Sequence, residues 1–99
     1  MTIRQAINRM LPVVSETYNV TRAELMGRGR EYKLAEARFV LWKLLYEELF
    51  GYTKISKPFK RDFTTIKHGV RRITEVMEYD KKVTNRYKHA KKQLTQRKI

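Results

Sequence analysis

The sequence predicts an all-α fold, a compact helical domain. Three observations carry that reading. Apolar residues recur at spacings of three and four, period-two alternation and Asn-Gly or Asp-Gly hairpin signals are missing, and helix caps and breakers punctuate the chain. With 99 residues, four glycines, two prolines and no cysteine, one domain over residues 1–99 is expected, without a disulfide framework or thiolate metal site. Its 41% of apolar and 11% of aromatic residues suffice for a single core.

The elements follow in order. Met1–Met10 reads as a short helix stopped by Pro12, whose ring and missing N–H disfavour a helix interior. Pro12 then opens a second helix, with Val13, Val14, Thr17 and Tyr18 on its inner side and an end near Asn19. Thr21-Arg-Ala-Glu24 is a capping box that starts a turn of helix through Ala23, Leu25 and Met26. Gly27-Arg-Gly-Arg30 breaks it. Residues 32–50 carry Leu34, Ala35, Ala37, Phe39, Val40, Leu41, Trp42, Leu44, Leu45, Tyr46, Leu49 and Phe50, too many for one stripe, so this helix is central. Gly51 is placed to close it as the C′ residue.

Thr53–Phe59 is a brief helix or a turn, given Pro58, with Ile55 and Phe59 one turn apart. In Phe63–Tyr79, Ile66, Val70, Ile73 and Met77 share one buried face, while Lys67, His68, Arg71 and Arg72 project elsewhere. Asp62 and Thr64 are both competent N-caps. Asp80–Leu94 repeats the pattern with Val83, Tyr87, Ala90 and Leu94 inside and Lys81, Lys82, Arg86, Lys88, Lys91 and Lys92 outside.

Charge narrows the function. Lys and Arg number 23 against 10 acids, a formal net charge of +13. Residues 1–50 hold eight bases and six acids, residues 51–99 fifteen bases and four acids, so an anionic partner is expected on the second half. No apolar run approaches the roughly 18–20 residues that span a bilayer, and Arg4, Asn8 and Arg9 interrupt the N-terminus, so neither a membrane nor a signal peptide is expected. The expected location is cytoplasmic, at the nucleoid.

Catalytic chemistry is absent from the pattern. Glycines at 27, 29, 51 and 69 write neither a phosphate-cradling loop nor a dinucleotide fingerprint. Ser15 and Ser56 have no base nearby in sequence, and His68 and His89 lack metal-ligand spacing. No enzyme, metal, nucleotide or cofactor is expected.

A short helix, a turn and a second helix opening on Lys60-Arg-Asp-Phe-Thr-Thr65 match a helix-turn-helix over about residues 53–79, followed by a basic helix over about 80–94. At the tip of a recognition helix, Asp62 can accept from a cytosine amine, and Thr64 can offer a thymine a methyl group or a base a hydroxyl. Thr65 can donate to a phosphate at the positive end of the helix dipole.

Arg61-Asp-Phe-Thr-Thr-Ile-Lys-His-Gly-Val-Arg-Arg-Ile73 resembles the signature of the C-terminal DNA-binding domain, domain IV, of the bacterial replication initiator DnaA. The resemblance spans about residues 13–94 and implies a fold similar to the Trp repressor. It implies base readout by Arg30 in the minor groove and by Asp62 and Thr64 in the major groove, with Thr65, His68 and Arg38 holding the sugar-phosphate backbone. Phe63 replaces the family's histidine, and packing on a thymine methyl group is its expected part in readout. Arg28, Lys33, Lys60, Arg61, Lys67, Arg71 and Arg72 complete the expected backbone contacts.

The family's paired glycines before Arg61 are absent, and Glu36, Glu47 and Phe39 stand where it often has basic residues or glutamine. The ATPase domain of DnaA has no counterpart in these residues. The resemblance therefore suggests a stand-alone phage or mobile-element reader of double-stranded DNA, acting in replication initiation or transcriptional control without ATPase activity. Host or phage replication proteins are further expected partners. A basic adaptor for protein or RNA, with the same fold but no base readout, is the alternative.

Overall fold

The computed structural model describes residues 1–96; the last three residues of the expected domain, 97–99, lie outside the described ones. Six helices and no strand are found among the described residues: α1 (Ile3–Tyr18), α2 (Arg22–Met26), α3 (Tyr32–Glu47), α4 (Tyr52–Phe59), α5 (Phe63–Tyr79) and α6 (Lys81–Gln96). The all-α expectation holds.

α3 is central, as its apolar breadth required. It packs on α1 and on α5, while α6 closes over α1 and α5. Leu34, Ala37, Val40, Leu41, Trp42, Leu44 and Leu45 of α3 are buried, and so are Glu36 and Arg38. Trp42 meets Phe39 and Phe59 with ring centroids 5.6 and 5.8 Å away. α5 approaches this cluster through Gly69, where a Cβ would stand 2.7 Å from both Phe39 Cδ1 and Trp42 Cε3. Only glycine permits that approach without displacing the rings.

Three expectations are corrected. Pro12 does not divide the N-terminal segment: α1 runs through it unbroken. Pro12 and Asn8, whose carbonyl loses its intrahelical donor, are both exposed, so the lost bond lies on the solvent side. The flanking Met10, Leu11, Val13 and Val14 are buried, and their burial holds the helix together on either side. The sequence also holds a second capping box, Thr2-Ile-Arg-Gln5, in which Thr2 and Gln5 cap α1 reciprocally.

Gly51 does not close α3. Leu49 takes the left-handed position, at φ 72°, with its N–H donating to Tyr46 O and that of Phe50 to Leu45 O. Leu45 is the last inward residue and Tyr46 to Leu49 are exposed, so another turn would bury nothing. Gly51 instead stands as the N-cap of α4, at φ −69°. On α5, Met77 is half-buried at the rim and Val76 takes its place in the core. Asp80 caps α6, accepting from the N–H groups of Lys82 and Val83.

Candidate nucleic-acid interface

The segment expected to be a brief helix or a turn is the helix α4, and it ends in a tight reversal. Lys60 adopts φ 53°, ψ 47°, its N–H donates to Lys57 O, and the Arg61 N–H donates to Ser56 O. Lys60, Arg61 and Asp62 form the whole connection before α5 begins at Phe63. A short helix, a three-residue turn and a long helix are the parts of a helix-turn-helix.

Arginines tie that turn to the Gly27–Arg30 loop. Arg28 Nη2 donates to Lys60 O at 2.9 Å, and Arg61 Nη2 donates back to Gly27 O at 2.8 Å. Behind them, Arg38 reaches from α3 and donates to the carbonyls of Leu25 (3.1 Å), Gly29 (2.6 Å) and Glu24 (2.6 Å). Carbonyls satisfy these guanidiniums without neutralising them; no carboxylate pairs with them among the described residues. Burial first, and then the neighbouring Arg61, lowers the Arg38 pKa; burial first, and then Arg28, lowers that of Arg61. Both effects make the cation costlier than on an exposed arginine, while the guanidiniums stay charged.

Arg28, Arg30, Arg38, Arg61 and Thr65 line one cleft, with Phe39 and Trp42 in its wall. Next to it, Thr64, Lys67, His68, Arg71, Arg72 and Glu75 line an open groove along α5. Thr64 and Thr65 join the two, so the tip of α5 sits between a loop-side cluster of arginines and a helix-side row of bases. Asp62 occupies the N-cap position of α5 but makes no side-chain capping bond, leaving its carboxylate exposed. Phe63 beside it is 53% exposed, an apolar ring offered to solvent at the same tip.

Most of the residues singled out in the sequence thus converge. Arg38 is repositioned: its side chain is 5% exposed and serves the loop from behind, because three carbonyls of residues 24–29 converge on it. Arg28 and Arg61 are likewise engaged with carbonyls. Lys33 stands apart, its ammonium group 3.5 Å from Asn19 O at the end of α1. Glu75 closes the far end of the groove and was overlooked; at i+4 from Arg71 it was visible in the α5 spacing.

These features define the class, an all-α helix-turn-helix domain of the DNA-binding type. Comparison with known proteins makes it specific. The sequence model of the family described as the bacterial dnaA protein helix-turn-helix matches residues 7–73, and the chain belongs to that family. It is 34% identical over 76 residues to the chromosomal replication initiator protein DnaA of Corynebacterium jeikeium (strain K411). That stretch is 75% of this chain and 13% of the relative, so the chain spans a small part of the initiator's length.

Proposed function

We propose that the chain reads a DnaA-box-like site in double-stranded DNA and acts in replication initiation or transcriptional control by binding alone. Arg30 enters the minor groove from the loop, while Asp62, Phe63 and Thr64 meet base edges in the major groove. A sugar-phosphate strand separates the two grooves. A strand lying between loop and helix tip passes over Thr65 and the cleft of Arg28, Arg38 and Arg61, while Lys60, Lys67, His68, Arg71 and Arg72 hold the flanking phosphates. The reciprocal bonds between Arg28 and Lys60 and between Arg61 and Gly27 fix the loop-to-helix spacing before DNA arrives.

The uncapped carboxylate of Asp62 carries this reading. Phosphate repels a carboxylate at the tip of a basic domain, so it favours binding only by accepting from a base. The test is selection of bound sites from a random pool, followed by gel shifts on the selected and a scrambled duplex at one salt concentration. Asp62→Ala is expected to cost about 1–3 kcal/mol on the selected site and nothing on the scrambled one. With no cap bond to lose, thermal stability is expected to hold within about 0.5 kcal/mol. Equal affinity of the native chain for both duplexes would instead describe a basic adaptor without base readout.

A further inference from the structure

α6 lies beyond the residues 7–73 that match the family, and it holds no acidic residue from Lys81 to Gln96. Its apolar residues Val83, Tyr87, Ala90 and Leu94 are all buried. Two of its cations are neutralised from α3: Arg86 by Glu36, at 2.7 and 2.9 Å, and Lys91 by Glu47, at 3.4 Å. Lys81, Lys82, Lys88 and Lys92 are exposed, and their ammonium groups meet no carboxylate among the described residues. At spacings of seven and four, Lys81, Lys88 and Lys92 fall on one stripe, opposite the buried face.

That stripe is turned away from the reading cleft. Glu36 and Arg38 are two residues apart on α3, about 200° around its axis. Arg38 holds the basic loop and Glu36 holds α6, so α3 stands between the two. α6 also starts beyond the far end of α5, about 24 Å along that helix from Phe63. A duplex seated on the loop and the α5 tip leaves the lysine stripe uncovered.

We propose that the outer face of α6 binds the phosphate backbone of a second duplex segment, so that one chain on its site holds two stretches of DNA. The proposal rests on the DNA-reading function for the first duplex only. A lipid surface suits the stripe less well, because interfacial helices need an exposed apolar face and α6 buries its own. DNA also brings its own second segment: once the site is occupied, neighbouring duplex is held at high effective concentration. Lysines alone make this contact sequence-tolerant and strongly salt-dependent.

The test mixes the full chain with a donor-labelled selected-site duplex and an acceptor-labelled scrambled duplex, each long enough for one chain. The native chain is expected to give energy transfer and a sedimenting complex of one chain with two duplexes, both weakening steeply between about 50 and 200 mM salt. Changing Lys81→Gln, Lys82→Gln, Lys88→Gln and Lys92→Gln together is expected to abolish most of the transfer while single-duplex affinity stays within about twofold. The proposal is overturned if transfer survives these changes, if the complex holds two chains, or if single-duplex affinity falls in step, which would place α6 on the first duplex. Pelleting with phosphatidylglycerol vesicles through the same lysines, with no two-duplex complex, would overturn it in favour of a lipid surface. Transfer between two scrambled duplexes with no site preference would sink base reading and leave the α6 contact standing.

Discussion

Arginine is used in two opposite ways at the two sides of α3. Arg86, on the α6 side, lies against the buried Glu36 carboxylate, which also accepts from Tyr18. Hydrogen bonding to Glu36 raises the Arg86 pKa well above its ordinary value, and burial beside that carboxylate pushes up that of Tyr18. Arg38 and Arg61, on the loop side, are held by carbonyls only, and their pKa values move down. One side is electrically closed by a carboxylate, whereas the guanidiniums of the other meet only carbonyls and keep an unneutralised charge. Two residues on one helix face opposite ways: Glu36 closes the α6 side, and Arg38 holds the loop.

The sharpest way to break that division is Arg38→Met, which keeps bulk and removes the donors from three carbonyls. Stability is expected to fall by about 2–4 kcal/mol, read from urea unfolding. Affinity for the selected duplex is expected to fall about 100-fold even where the protein is fully folded, because the loop no longer holds Arg30 in register. Intact affinity in the folded variant would mean that the loop needs no preset shape. Glu36→Gln should cost stability alone. Its partner Arg86 is 40% exposed, so the expected loss of stability is nearer about 1–3 kcal/mol than the full cost of a buried broken pair. Its DNA affinity, measured by anisotropy well below the melting temperature, should remain native.

The arrangement was only partly legible in the sequence. The α5 face and the Thr21–Glu24 box could be read because their partners lie three or four residues away. Glu36, Arg38 and Arg61 could not, because what they touch lies 9 to 50 residues distant, and some of it is backbone that any sequence carries. Pro12 and Gly51 misled for the converse reason. Each has a strong local preference, and each was overruled by which flanking residues could be buried. Asp62 was legible as a tip residue, while its lack of a capping bond required coordinates.

A subtler separation is available in salt dependence. If about five to seven phosphates are neutralised, log affinity should fall with log salt at a slope of roughly −5 to −6. Arg71→Ala, in the α5 groove, is expected to weaken selected and scrambled duplexes alike and to make the slope shallower by roughly one unit. Glu36→Gln should leave the slope unchanged. A change there would mean that the α6 side contributes to binding a single duplex.

The smallest expected effect concerns acid, and it lies under the loop. Glu24 supplies one of the carbonyls that Arg38 grips, and its carboxylate accepts from the Thr21 N–H to start α2. That backbone hydrogen bond, first among the causes, holds the Glu24 pKa below the 4.5 of a free glutamate. A depressed folded pKa means that the unfolded chain takes up the proton first. The stabilisation is therefore complete above about pH 4.5 and is lost as pH falls through the lower, folded value. Glu24→Gln keeps an acceptor for the Thr21 N–H but cannot titrate. Melting temperatures of the two proteins are expected to run in parallel above pH 4.5 and to converge below it, with the native protein losing more. The other carboxylates titrate in both proteins and cancel in the difference. Curves that stay parallel through the acid range would show that Glu24 does not support the loop through its charge, and that the Arg38 and Arg61 bonds to its carbonyls hold it without that help.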